Sequence, residues 1–253
     1  GNASAIMYGI YNASSAVTKS MYNNTAYSLK TNGSGSVYGI YNSGGTTVNI
    51  YKNSVYDLRT SSGFAYGLQS ASGTTVNLYN NFISDLRCDS ISSTLAMMGL
   101  YISGGTAVNA YYNTIYLNAV STGTLFGTAA LYASTTPTVD LRNNIAVNMS
   151  TPGPTGGYSV AYYRSSSTLT TYSGLSNYND FYSGTPDTSH IIYFDGINYM
   201  RTMTDYKGFV SPRDANSVTE NPPFVNVSTK PYNLHINSAI ATQCEGSGTV
   251  IST

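Results

Sequence analysis

One set of charged side chains sits at a spacing that could do chemistry: Asp57-Leu58-Arg59 and its copy Asp85-Leu86-Arg87, 28 residues further on. Two carboxylates beside two guanidinium groups would grip a sugar acid or a calcium ion. Residues two apart on a strand share a face, so stacking the copies would set Asp on Asp and Arg on Arg in one patch. The plainer alternative is a surface salt-bridge ladder in which each Arg offsets the repulsion of the stacked acids. The equivalent positions further on read as Leu117 and Val147, which favours the ladder.

The remaining chemical groups are scattered. His190 and His235 are the only histidines, and neither has the partners of a catalytic dyad or a metal site, so each reads as structural. Cys88 and Cys244 lie far apart without a CxxC or Cys/His cluster, giving buried thiols or one long-range disulfide. Asp214, ahead of Asn216 and Ser217, reads as turn chemistry. No catalytic residue, metal ligand or cofactor is implied.

Tyrosine carries more information, with 25 of the 253 residues. Tyr11, Tyr41, Tyr101, Tyr132 and Tyr163 align, with Gln69 as the departure; Tyr22, Tyr51, Tyr79 and Tyr111 form a second row that ends at Arg142. In Val48-Asn49-Ile50-Tyr51 the apolar residues alternate with polar ones, which puts Tyr51 and its copies outside if the aliphatic side chains fill a core. Such rows either shield a sheet or form a contact surface for sugar faces or another protein, with Tyr51, Tyr79, Tyr111, Tyr41 and Tyr101 as the candidate binding residues.

The elements that must position these side chains follow from a repeat. Tyr8-Gly9-Ile10-Tyr11-Asn12 returns as Tyr38-Gly39-Ile40-Tyr41-Asn42 and, in weaker form, around Gly67, Gly99, Ala130 and Ala161, at steps of 30, 28, 32, 31 and 31 residues. A second motif, Val48-Asn49-Ile50-Tyr51-Lys52-Asn53, recurs at Val76, Val108 and Val139. Turn signals such as Ser43-Gly44-Gly45-Thr46 separate short alternating strands, three to a unit. Propeller blades need longer units, and the chain has no Trp, so a parallel β-helix with copies stacked about 4.8 Å apart fits better. Asn24, Asn53, Asn81, Asn113 and Asn144 align as a structural ladder at tight turns, where Asn tolerates the left-handed region and can exchange amide hydrogen bonds between coils. Ser61-Ser62-Gly63 and its counterparts take up the changes in unit length in the third turn.

Composition narrows the function classes. Only 9% of residues are charged, against roughly 25% in ordinary soluble domains, and the formal net charge is zero. No basic patch is available for nucleic acid, and no apolar run reaches the roughly 18 residues of a membrane span. In a solenoid, like charges would repel down every ladder, so uncharged Asn, Ser, Thr and Tyr suit the repeat.

The units "VNIYKNSVYDL", "VNLYNNFISDL" and "VDLRNNIAVNM" resemble the right-handed parallel β-helix repeats of pectate-lyase-like proteins. Segments of the tail, "SNYNDFY", "YMRTMTDYKGF", "DANSVTENPPFV" and "YNLHINSAI", resemble the closing segments of large secreted β-helix proteins of Bacteroidetes-type bacteria. The resemblance implies an extracellular or cell-surface setting and a chain cut from a longer one. It also implies a search for polysaccharide-cleaving sites.

The sequence thus predicts an all-β, right-handed parallel β-helix of about 30 residues per coil. Coils occupy 1–183 and final coils plus an irregular C-terminal cap occupy 184–253, with one or two helical turns at Met200 to Tyr206 laid over the end. The expected function is a non-catalytic structural or adhesive module whose partners are surface glycans or copies of itself stacked end to end from an open coil at Gly1 to Ile6. The alternative is a polysaccharide-binding or polysaccharide-cleaving lyase or hydrolase.

Overall fold

The computed structural model describes residues 4–246 and 248–251, so the first three residues of the expected open coil lie outside it. The first coil comprises β1 (Met7–Asn12), β2 (Thr18–Tyr22) and β3 (Thr25–Thr31). The second has β4 (Val37–Asn42), β5 (Thr47–Tyr51) and β6 (Ser54–Thr60); the third has β7 (Ala65–Ser70), β8 (Thr75–Tyr79), β9 (Phe82–Ser84) and β10 (Leu86–Cys88). The fourth is β11 (Ser93–Ile102), β12 (Ala107–Tyr111) and β13 (Thr114–Leu117), and the fifth β14 (Phe126–Ala133), β15 (Thr138–Arg142) and β16 (Ile145–Asn148). In the sixth, β17 (Ser159–Arg164) and β18 (Asp180–Tyr182) flank a looped segment that keeps only single bridges, Val139 with Tyr172 and Arg142 with Asn177. Beyond them come β19 (His190–Phe194), β20 (Tyr199–Met200), the helix α1 (Met203–Val210), β21 (Phe224–Asn226) and β22 (Asn233–Ile236).

Like strands of successive coils pair in parallel, giving three sheets that wrap one core and a β-solenoid of about six turns of about 31 residues. Registers match the repeat: Tyr11 pairs with Tyr41, Val48 with Val76, and Tyr79 with Tyr111. The core is a stack of aliphatic layers, Ile40, Leu68 and Leu100 from the first sheet and Val48, Val76 and Val108 from the second, all fully buried.

The Tyr-Gly-Ile-Tyr motif departs from simple alternation. In β4, Gly39 and Ile40 both face inward, which brings Tyr38 and Tyr41, three residues apart, to the outer face. A Cβ at Gly39 would lie 2.3 Å from Val55 Cγ1 and 2.6 Å from the Gly67 carbonyl oxygen, so the close approach of β6 requires glycine.

The aligned asparagines, half-buried at Asn24 and buried from Asn53 to Asn144, form the expected ladder, but for a different reason. The positive φ angles belong to the residues before them: Asn23, Lys52, Asn80, Tyr112 and Asn143. Each ladder side chain turns inward instead. The Asn81 amide donates from Nδ2 to Asn113 Oδ1 at 2.9 Å and to the Ile50 carbonyl at 2.9 Å, and its backbone N–H donates to the same Asn113 oxygen at 3.2 Å. The pattern runs from Asn24 through Asn144 to Asn179, so every buried turn amide finds an acceptor in the next coil.

The helix forms later than the predicted Met200 to Tyr206, because Thr202 is the residue that caps it: its side chain accepts from the Asp205 backbone N–H. Tyr206 of α1 is fully buried, packing on Phe181 and Tyr193 of the last coil, and so closes the core. The rest of the tail covers more than the end. It turns back along the third sheet, where β21 and β22 form an antiparallel hairpin and Phe224 and Tyr232 pack edge-on against Tyr116.

Candidate functional site

The charged patch of the third sheet differs from the expected stack. Arg59 and Arg87 do pair in register, but Asp57 and Asp85 sit at φ 54° and 50°, which breaks the alternation that would have set all four on one open face. Arg87 binds both Asp57 and Asp85, while Arg59 turns to Asp89 at 2.8 Å. Asp85 is only 3% exposed, and Lys230 from the tail closes over it. This is a half-exposed cluster around one buried carboxylate, Asp85, and it fastens the tail to the third coil. The register also pairs Leu117 with Asn148 and Val147 with Tyr116, so those two apolar residues are not equivalent positions.

His190 does meet a carboxylate: its Nδ1 lies 3.0 Å from Asp187 Oδ2. The pair belongs to a local clasp in which Asp187 Oδ1 also accepts the Ser189 and His190 backbone N–H groups. These bonds hold the exposed Asp187 carboxyl well below the usual carboxylate range. His235 packs edge-on against Phe82. Cys88 and Cys244 are both free, and burial pushes both thiols up. Cys244 Sγ lies 3.6 Å from Asp180, whose carboxyl is pushed up to about 8 by burial, on the wall of a 250 Å³ cavity. Asp214 sits in the turn that the sequence suggests, the Ser217 N–H donating to its carbonyl at 3.0 Å, but its side chain does more than shape that turn. It is fully buried and accepts from Tyr172, Tyr206, Ser217 and Asn179.

The tyrosine rows are where the sequence placed them, on two different sheets. On the first, Tyr11 stacks on Tyr41 and Tyr132 on Tyr163, and the gap at Gln69 is crossed by Tyr66, which stacks on Tyr101. A further row, Tyr8, Tyr38 and Tyr66, escaped the sequence reading because strict alternation forbids two outward residues three apart. Tyr41 and Tyr101 therefore belong to a different face from Tyr51, Tyr79 and Tyr111.

On the second sheet, Tyr22, Tyr51 and Tyr79 stack with centroids 4.9 and 4.6 Å apart and ring planes within 3° and 4°. Rings stacked on both sides show their edges, not their faces, to solvent. Beside them runs an outer amide row: Asn77 donates to Asn49 at 2.8 Å and Asn109 to Asn77 at 2.9 Å. The signal for it was present in the repeated Val-Asn-x-Tyr.

Among the described residues the ring stack stops between Tyr79 and Tyr111. Tyr111 is drawn toward the fifth coil, where its hydroxyl donates to Asp140 at 2.8 Å and the Arg142 guanidinium lies 5.0 Å from its ring centre. Burial, and then the bond to Asp140, pushes its hydroxyl up to about 12. The gap is a groove of about 510 Å³ lined by Tyr79, Tyr111, Asn77, Asn109 and Arg142, with Val250 and Ile251 of the tail as an apolar wall. Asn143 fixes that wall by pairing with both the N–H and the carbonyl of Thr249, at 3.0 and 2.8 Å.

No family model matches the chain, and no curated protein or solved structure matches it. The fold therefore stands on the geometry above. Among the described residues, no three His, Cys, Asp or Glu side chains are grouped to hold a metal ion, and no helix is long and apolar enough to cross a membrane.

Proposed function

We propose that the protein is a non-catalytic extracellular contact module, a rigid rod that adheres through an uncharged face of tyrosine and asparagine. The supporting observation is the second sheet, where Tyr22, Tyr51 and Tyr79 and the amides of Asn49, Asn77 and Asn109 are already held in order by their neighbours in adjacent coils. Side chains fixed before contact lose little entropy on binding, so many weak contacts sum to useful adhesion. The extracellular setting rests on the resemblance of the tail to secreted β-helix proteins.

End-to-end assembly needs two open ends, and α1 covers the C-terminal one through buried Tyr206 and Val210. The single-module form is therefore the one proposed. For the cleaving alternative, the acids and bases of the third sheet are already engaged with each other and with Lys230.

The test is retention of fluorescent protein on extracellular polymer coats stripped from bacterial cells, with Tyr51→Ala plus Tyr79→Ala as the variant. Retention lost in the folded double variant supports the reading. Equal retention of both proteins, or turnover of the coat polymer by the wild type, overturns it.

A further inference from the structure

Three recesses on the molecule differ in their chemistry. The cavity beside Asp180 and Cys244 holds a carboxyl satisfied by the Glu220 backbone N–H at 2.9 Å, with no group aimed at a ligand. The pocket between Tyr27, Tyr56, Asp57 and Lys230 is closed on its charged side by the Asp85 cluster. The groove between Tyr79 and Tyr111 has an aromatic face, unmatched amide groups and open access together.

Resting on the contact-module reading, we propose that this groove is a binding site for a neutral saccharide of one or two rings. Three features of the groove select that ligand. First, Tyr79 is stacked by Tyr51 on one side only, so its other face is open to the groove. An aromatic face is electronegative and complements the C–H face of a pyranose, whose hydrogens carry partial positive charge.

Second, the amides of Asn77 and Asn109 stand on the groove wall one coil apart. Asn109 Oδ1 receives no donor among the described residues, and each amide Nδ2 has a second hydrogen beyond the one given to its neighbour. A paired acceptor and donor match the donor and acceptor of neighbouring sugar hydroxyls. Arg142 Nη1, which also has no protein partner among the described residues, adds a donor at the far end.

Third, the one charge on the groove wall is already countered by a neighbouring carboxylate. Arg142 is its one charged lining residue, and Asp140 takes both its Nε, at 3.0 and 3.1 Å, and its Nη2. A uronate would have to compete with that carboxylate for the guanidinium, whereas a neutral sugar leaves the pair intact. The volume of about 510 Å³ lies inside the range of small-molecule sites and suits one or two rings.

The experiment is a titration of the purified protein with neutral gluco-, galacto- and mannodisaccharides and with digalacturonate. It is followed by calorimetry and by the side-chain amide resonances of Asn77 and Asn109. At least one neutral disaccharide is expected to bind and shift both amide resonances. Tyr79→Ala should weaken it at least tenfold, Tyr22→Ala by less than twofold, and digalacturonate should bind at least tenfold less well. Circular dichroism melting confirms that both variants fold; if Tyr79→Ala unfolds, Asn109→Leu replaces it with the same expectation.

Absence of binding by any neutral disaccharide at 20 mM (about the weakest affinity worth reading), equal binding of digalacturonate, or full binding by the groove variant overturns the proposal. If saccharide binding is absent but Tyr51→Ala plus Tyr79→Ala still abolishes polymer retention, only this proposal falls. If retention is also unchanged, the contact-module reading falls with it.

Discussion

Asn179 donates its side-chain amide to Asp214 at 2.9 Å, and there the buried asparagine ladder ends. Every amide from Asn24 onward gives its N–H to the oxygen of the next coil, so the row is directional and its last member needs an acceptor that asks for no further donor. A carboxyl group meets that need. It also collects the hydroxyls of Tyr172, Tyr206 and Ser217, which ties the looped sixth coil to α1.

Asp214→Ala leaves these buried donors without an acceptor and places alanine at φ 52°. At about 1–3 kcal/mol for each unsatisfied buried group, partly relieved by relaxation, the expected loss is roughly 3–5 kcal/mol. Asp214→Asn keeps one oxygen and the tolerated backbone and should lose about half as much. Urea unfolding should show a lower midpoint at unchanged slope; a loss under about 1 kcal/mol would refute the capping role.

Gly39→Ala tests the Tyr-Gly-Ile-Tyr bend. The added methyl meets Val55 Cγ1 at 2.3 Å and the Gly67 carbonyl at 2.6 Å. An overpacking cost of about 1–3 kcal/mol follows. Adding Val55→Ala removes the side-chain clash but not the carbonyl one, so the double variant should recover only part of the melting temperature. Full recovery would mean that the backbone contact is unimportant.

Asp180 gives stability a pH dependence. Burial pushes its folded-state carboxyl up to about 8, above the unfolded value near 4. Between those values the unfolded chain has lost the proton and the folded chain keeps it, so this group makes stability fall as pH rises from 4 to 8 and level off above 8. Thermal melts of Asp180→Asn across pH 4 to 9 should lack this downward slope, and the variant should gain on the wild type toward pH 8. Parallel curves for the two proteins would refute the assignment.

Lys230→Met releases the clamp on Asp85 while leaving Arg87 in place. The expected cost is about 1–2 kcal/mol, concentrated in the tail. Limited proteolysis should cut within 222–236 faster than in the wild type while the coils stay intact. Uniform digestion of the whole chain would show that the clamp is not local.

The period, the three strands per coil, the aliphatic core and the tyrosine and asparagine rows were all legible in the sequence. Parallel stacking repeats the same environment every coil, so residues such as Val48, Val76 and Val108, or Tyr22, Tyr51 and Tyr79, spell out their own alignment. The bend at Gly39 was visible as a repeated glycine, but its effect on Tyr38 depends on how near β6 comes.

Lys230 reaches Asp85 across 145 residues and Thr249 reaches Asn143 across 106, pairs with no periodic signal to announce them. The gap between Tyr79 and Tyr111 is likewise a tertiary outcome. Sequence aligns the two rings, and the Asp140–Arg142 pair in the next coil decides that they part. Local repetition fixes which residues stack, because each coil is the template for the next; competition among polar partners in three dimensions fixes where the stack opens and what the tail covers.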